Sequence, residues 1–179
     1  MSTKISTKDI TLTAVLLGLC IVFQMMKGLS PYITGTAVNA MLVLGVLTVG
    51  WFGGVALAFF TPIVAYLLGL TPIVQMIPVM VLVIAFGNFA LVLFAMIAKQ
   101  KQPRNLLPMG LVVGSVVKAL VLWVLVWFLV LPTFGAELPE AVVLGAKVSF
   151  SWMQLVTALL GSGVGYFVHL RTRAVLKFS

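Results

Sequence analysis

Long apolar runs separated by short polar, Gly- or Pro-containing breaks are the main pattern along the chain. A helix needs roughly 20 mostly apolar residues to cross a bilayer, and these runs have about that length. They predict membrane-spanning helices at about 10–26, 33–50, 53–70, 77–98, 106–131 and 148–169. The pattern therefore predicts an all-α fold, a bundle of six transmembrane helices in one integral membrane domain of residues 1–179.

The breaks between the runs carry the residue types that end helices. They read KGLSPY (27–32), WFGG (51–54), LTPIVQMIP (70–78), KQKQPRN (99–105) and PTFGAELPEAVVLGAK (132–147).

Composition agrees with a membrane protein, since 63% of the residues are hydrophobic and 8% are charged. A soluble domain carries about a quarter charged residues.

The basic residues predict the orientation of the bundle. With six spans both termini share one side, and eight lysines and arginines fall there, namely Lys4, Lys8, Lys99, Lys101, Arg104, Arg171, Arg173 and Lys177. The opposite loops hold only Lys27 and Lys147. Because cytoplasmic loops carry the excess of Lys and Arg, both termini are expected in the cytoplasm. Topology and anionic lipid headgroups account for the net charge of +8, so no nucleic acid partner is expected.

Small residues three or four apart indicate which helix faces pack together, because lipid gives apolar faces no drive to associate. Ala14 and Gly18 form such a pair in the first span, and Gly110 and Gly114 form one in the fifth. Lys118 continues the stripe of the fifth span and is therefore expected to point into the bundle. In the sixth span the stripe is Ala158, Gly161 and Gly165, and it continues outward as Gln154, Ser151 and Lys147.

Lys118 is the candidate with the clearest chemistry, because burying an ammonium in a membrane costs at least about 2.5 kcal/mol. No carboxylate is placed by sequence near the membrane midplane, since the acids are Asp9, Glu137 and Glu140. Two interpretations remain. Lys118 either holds the bundle together through Asn88 and backbone carbonyls, or it supplies one fixed positive charge to an outward-facing pocket. A lysine without a buried acid favours an anionic or electron-rich ligand, such as a carboxylate- or phosphate-bearing molecule.

Neutral polar residues complete the candidate pocket. Asn88 lies at a depth similar to that of Lys118, while Gln154, Ser151 and Gln75 lie nearer the outside. Asn39 is early in the second span and either reaches the pocket or makes an interhelical hydrogen bond. These side chains and Lys118 are the predicted substrate-binding residues.

Enzyme chemistry is not indicated by the sequence. It contains no His, Cys and Glu set with metal-ligand spacing, no serine with a credible base and no intramembrane carboxylate pair. We therefore expect no metal, no cofactor and no catalytic residue. The motif GxxxxGK[ST] is also missing, so active transport by this chain would need a partner that hydrolyses ATP.

Three segments resemble a known family. They are TKDITLTAVLLGLCIVF in the first span, IPVMVLVIAFGNFALVLF in the fourth and SFSWMQLVTALLG at the start of the sixth. With the chain length and the predicted topology, they resemble the substrate-binding (S) component of an energy-coupling factor transporter of the vitamin-uptake class. The resemblance implies a high-affinity membrane receptor in the plasma membrane of a prokaryote. It also implies a transmembrane coupling protein and two ATPase subunits as partners.

The resemblance further implies that the two parts of the chain have different functions. Residues 1–75 would form the coupling side, where Ala14 and Gly18 match the coupling motif. Residues 76–179 would form the substrate pocket with the outer loops, and Asn88, Lys118, Ser151 and Gln154 fall where pocket residues are expected. The KGLSPY loop would close over the substrate before the receptor tips against the coupling protein. A stand-alone small-molecule permease and a structural membrane assembly subunit remain as alternatives.

Overall fold

The computed structural model describes residues 5–26, 30–100 and 106–176, with side chains described as far as residue 173. Lys4, Lys27, Lys101, Arg104 and Lys177, which entered the charge count, lie outside the described residues. Parts of the KGLSPY and KQKQPRN breaks do so as well. Across the described ranges the chain folds into helices joined by turns, without strands, so the all-α prediction is confirmed there.

Nine α-helices occur in the described part of the chain. Their bounds are α1 Thr7–Met25, α2 Pro31–Leu44, α3 Trp51–Leu67, α4 Pro72–Met76, α5 Met80–Gln100, α6 Leu106–Leu125, α7 Leu131–Phe134, α8 Glu140–Ser149 and α9 Trp152–Leu176. Two π-helical turns extend α2 and α6, at Gly45–Val49 and Val126–Val130, and a 3₁₀ turn follows α7 at Gly135–Glu137.

Five of the helical segments are long and apolar enough to cross a membrane. They are Thr7–Met25, Pro31–Val49, Met80–Gln100, Leu106–Glu137 and Trp152–Arg173. Helix α3 is apolar but has 17 residues, about 25 Å at 1.5 Å per residue, against roughly 30 Å of hydrocarbon. The chain is therefore a multi-pass membrane protein, while the count of six spans and the cytoplasmic position of both termini stay predictions.

The breaks near 70–78 and 132–147 contain helices that the hydropathy pattern did not predict. Helix α8 has Glu140 in its first turn and Lys147 in its last, charges that favour a helix dipole of this direction. Its partly buried Val142 and buried Ala146 pack on a core cluster with Ile73 of α4 and Phe150. Burial of one apolar face explains why these short segments are helical, since isolated helices of this length are marginal in water.

Glycines set the closest helix contacts. Helix α2 packs along α9, and α5 packs along α6. A Cβ atom on Gly165 would lie 2.8 Å from Ala40 O, and one on Gly110 would lie 2.1 Å from Ala98 Cβ. The small-residue stripes of the fifth and sixth predicted spans therefore mark helix interfaces, as expected from their spacing.

Helix α1 differs from the other long helices in its packing. Only 17% of the apolar stretch of α1 is buried inside the protein, compared with 50% for Pro31–Val49. Ala14 and Gly18 are both exposed, and a Cβ atom on Gly18 would meet nothing within 4 Å. This stripe of small residues is therefore not used for packing within the described part of the chain.

Candidate functional site

A cavity of about 400 Å³ lies inside the bundle, within the size range of small-molecule sites. Its walls come from α2, α3, α4, α5, α6, α8 and α9, and Gln24 of α1 also reaches it. Helices α4 and α8, both in the breaks between the predicted spans, cover one part of the cavity. The cavity wall thus includes α2 and α3 as well as helices after residue 76.

Lys118 lies on α6 and supplies the one charged side chain among the described residues that line the cavity. Its side chain is 3% exposed. Nζ donates hydrogen bonds to Asn88 Oδ1 at 2.7 Å and to Asn39 Oδ1. Lys118, Asn39 and Asn88, predicted from sequence as site residues, are thus brought together by three different helices.

Asn88 is held in place by a carbonyl that a proline leaves unbonded. Pro62 lies inside α3 and has no N–H, so Ala58 O, four residues earlier, lacks its usual helical donor. Asn88 Nδ2 donates to Ala58 O at 3.3 Å and to Thr61 Oγ1 at 3.3 Å. Because the amide nitrogen is engaged with α3, the amide oxygen faces Lys118.

Asn39 is held by the close approach of α2 and α9. It is 2% exposed, and a Cβ atom on Gly161 would lie 2.5 Å from Asn39 Cβ. Asn39 Oδ1 accepts from Lys118, whereas Asn39 Nδ2 has no hydrogen-bond partner among the described residues. The small residue at position 161 therefore allows α2 to bring this amide to Lys118.

The remaining walls carry both apolar and polar side chains. Helices α4, α5 and α8, with Phe150, present Ile73, Val74, Ile84, Val142, Ala146 and Phe150. Thr34, Gln154 and Thr157 lie on the walls formed by α2 and α9. Thr34 Oγ1 donates to Phe23 O at 3.0 Å, which ties the cavity face of α2 to the end of α1. A ligand in this cavity would therefore meet both polar groups and apolar side chains.

The structure places four of the six predicted substrate-binding residues on the cavity wall: Lys118, Asn88, Asn39 and Gln154. Ser151 and Gln75 are not on the wall. Ser151 Oγ donates to Val148 O at 2.9 Å, and the exposed Gln75 donates through Nε2 to Tyr66 O. Whether either residue contacts a ligand stays a prediction, as does the division of the chain at residue 75.

Several wall residues were not singled out from the sequence. Thr61 and Pro62 stand inside an apolar run, and an internal proline is the sequence signal that a carbonyl four residues earlier needs another donor. Thr34 and Thr157 carried no comparable signal, because a threonine in an apolar helix commonly bonds to its own backbone. Thr157 Oγ1 does so, donating to Gln154 O at 3.3 Å.

Comparison with known proteins gives one family. The family model described as ECF (energy-coupling factor) transporter, substrate-specific component, matches residues 8–170. Neither a search of curated proteins nor a search of solved structures finds a match. The matched region covers all but the first residue of α1, the whole of α2 to α8 and most of α9, and it includes the cavity. The chain therefore belongs to the substrate-specific components of energy-coupling factor transporters, which are membrane transport subunits and not enzymes.

Proposed function

We propose that the protein captures a small vitamin-like molecule carrying a carboxylate or another anionic group from outside a prokaryotic cell. The cavity around Lys118 would hold this molecule with high affinity. Membership of the family implies a substrate and, in general, a transmembrane coupling protein with ATPase subunits. A complex with one coupling protein and two ATPase subunits, located in the plasma membrane, is part of the proposal.

The observation that carries the proposal is that the ammonium of Lys118 is buried without an acidic partner on the described cavity wall. An ammonium that is 3% exposed has lost almost all of its hydration, and two neutral amide oxygens replace only part of it. Burying an ammonium in a membrane costs at least about 2.5 kcal/mol on insertion scales, and a bound anion would offset the part of this cost that the two amides leave. Because the cavity wall holds no acidic side chain among the described residues, a ligand is the group that can supply the negative charge.

The outward opening of the cavity is supported by the distribution of charge and by the short helices. With six crossings, eight basic residues fall on the side of the termini and two on the opposite side, which favours cytoplasmic termini. In that topology α4 and α8 lie on the outer side, and both contribute to the cavity wall. Substrate would then enter between these two short helices from outside.

Two residues of the proposed site lie next to wall residues in the chain. Gln75 follows Val74, and Ser151 follows Phe150. We retain both as contacts that form when the outer segments close over a bound molecule. Asn39, Asn88, Lys118 and Gln154 are proposed as contacts in the present arrangement.

The exposed stripe on α1 is proposed as the docking surface for the coupling protein. Ala14 and Gly18 leave a shallow, small-residue surface on the least packed of the long helices. Close approach of another helix is favoured at such surfaces because small residues let backbones come together. The proposed coupling side is residues 1–75, although α2 and α3 also line the cavity.

Co-purification tests the function directly. The tagged protein is expressed in prokaryotic cells with a candidate coupling protein and its ATPases, isolated in lipid nanodiscs, and the small molecules that accompany it are identified by mass spectrometry. We expect the ATPase subunits to co-purify, an anionic small molecule to be released on denaturation, and reconstituted vesicles to accumulate that molecule only with ATP. Accumulation by this chain alone would instead favour a stand-alone permease, and a stable complex without bound molecule or uptake would favour an assembly subunit.

A further inference from the structure

The orientation of two amides is fixed by Lys118. An ammonium has three N–H donors and no acceptor, so the amide atoms that face Nζ must be oxygens. The oxygens of both Asn39 and Asn88 are therefore engaged by Lys118, and their nitrogens must point elsewhere.

The two amide nitrogens have different surroundings. Asn88 Nδ2 is engaged by Ala58 O and Thr61 Oγ1. Asn39 Nδ2 has no hydrogen-bond partner among the described residues although the side chain is 2% exposed. Gln24 Oε1 is fully buried without a partner, whereas Asn39 Nδ2 keeps some accessible surface. Because Asn39 lines the cavity, this surface is accessible from the cavity.

The cluster consequently presents N–H donors to the cavity, while both of its amide oxygens already accept from Nζ. Two of the three Nζ donors of Lys118 are accounted for by the asparagines, which leaves one, and Asn39 Nδ2 adds an N–H from the adjoining group. We propose that Asn39 and Lys118 together bind one carboxylate of an otherwise apolar ligand, and that Asn39 selects carboxylate over carboxamide. This inference rests on the proposed function, since it specifies the ligand of the same cavity.

The selectivity follows from which groups of the ligand accept hydrogen bonds and which donate them. The two oxygens of a carboxylate accept from both donors, and its charge neutralises the buried ammonium. An isosteric carboxamide would place its N–H₂ group against one of the two donors. That donor would then lack an acceptor, which is strongly unfavourable in a buried site. The apolar wall of Ile73, Val74 and Val142 would hold the body of the ligand.

The experiment uses matched probes on the full chain in lipid nanodiscs. Benzoate, nicotinate and 4-phenylbutyrate are each titrated beside the corresponding carboxamide by isothermal calorimetry, with thermal stabilisation as a second readout. For the wild type we expect at least one pair in which the carboxylate binds at least tenfold more tightly. Equal affinities in all pairs, a preference for carboxamides, or no binding of any carboxylate would each overturn the proposal.

A variant then tests the role of Asn39. In Asn39→Asp the new side-chain carboxylate pairs with Lys118 and presents an acceptor to the cavity. The affinity for the carboxylate ligand should therefore fall at least tenfold, while the affinity for the carboxamide ligand should rise until it equals or exceeds that for the carboxylate. A variant that merely misfolds would lose both. Ser115→Ala is the control, because Ser115 is buried one turn before Lys118 and bonds to Ser162, away from the cavity wall. It should keep the wild-type preference.

Failure of this inference can be told apart from failure of the proposed function. If carboxylate and carboxamide bind alike while the ATPase subunits still co-purify and ATP-dependent uptake persists, the donor pair is wrong and the transport function stands. If Asn39→Asp keeps the carboxylate preference unchanged, Asn39 is not the selecting residue.

Discussion

Gly161 of α9 lies directly against Asn39 of α2. A Cβ atom on Gly161 would come within 2.5 Å of Asn39 Cβ and within 2.5 Å of Thr36 O. One of these contacts is to backbone, so rotation of a side chain cannot relieve it. The glycine stripe of α9 therefore determines where α2 places the amide that accepts from Lys118.

Gly161→Ala should weaken ligand binding for this reason. The added methyl forces α2 away from α9 at Asn39, and overpacking of this kind costs about 1–3 kcal/mol of stability. We expect a lower melting temperature and about a tenfold loss of affinity for the carboxylate that binds the wild type most tightly. Gly163→Ala is the matched control, since a Cβ atom there meets nothing within 4 Å. Unchanged affinity in Gly161→Ala would contradict the link.

Pro62→Ala tests how Asn88 is oriented. The substitution supplies the missing N–H, so Ala58 O regains a helical donor and competes less for Asn88 Nδ2. We expect ligand affinity to fall by about 0.5–1.5 kcal/mol, or roughly two- to tenfold, measured by calorimetry. Pro72→Ala is the control, because Pro72 lines the same cavity at the first turn of α4, where no helical bond is missing. A Pro62→Ala variant that binds as the wild type does would show that Asn88 is oriented without this carbonyl.

The sequence was sufficient to predict the helical class and the inward position of Lys118. Apolar runs of about twenty residues fix helices in a membrane, and the spacing of Gly110, Gly114 and Lys118 put the lysine on a packed face. Asn39 and Asn88 could be proposed as its neighbours because polar side chains in apolar helices face the bundle interior.

The rest depends on tertiary placement. The bond from Asn88 to Ala58 requires the relative depth of α3 and α5, which hydropathy does not give. Helix α8 forms because Val142 and Ala146 pack in a cluster that includes Ile73 of α4, a segment far away in the sequence. Ser151 bonds to a carbonyl three residues earlier, a local alternative that composition cannot distinguish from a ligand contact.

Gly18→Leu separates docking from substrate binding. Since Gly18 is exposed and a Cβ atom there meets nothing within 4 Å, the larger side chain should leave the fold and the cavity intact. It would fill the small-residue surface proposed for the coupling protein, so ATP-dependent uptake in reconstituted vesicles should be lost while calorimetric affinity is retained. Gly163→Leu places the same bulk at another exposed glycine with open surroundings and should keep uptake. Wild-type uptake by Gly18→Leu would remove α1 from the docking surface.

Lys118→Met decides between an anion site and a structural role for the buried lysine. Methionine has similar length but no charge, so the variant loses the desolvation cost of the ammonium. It also leaves Asn39 Oδ1 and Asn88 Oδ1 without their donor, at about 1–3 kcal/mol for each acceptor that stays unpaired. Both asparagines line the cavity, and water entering it can satisfy the two oxygens.

We therefore expect the ligand-free Lys118→Met protein to melt at the wild-type temperature or above it. Affinity for the preferred carboxylate should fall by about 2 kcal/mol or more, at least about thirtyfold, because the ligand loses its charged partner. If Lys118 served only to join α2, α5 and α6, the signs would be reversed: the variant would melt earlier, and the molecules that do fold would bind normally. Differential scanning calorimetry without ligand and a titration with it measure the two quantities on the same preparation. An early-melting variant with wild-type affinity would falsify the anion-site assignment, because the positive charge would then contribute to folding and not to recognition.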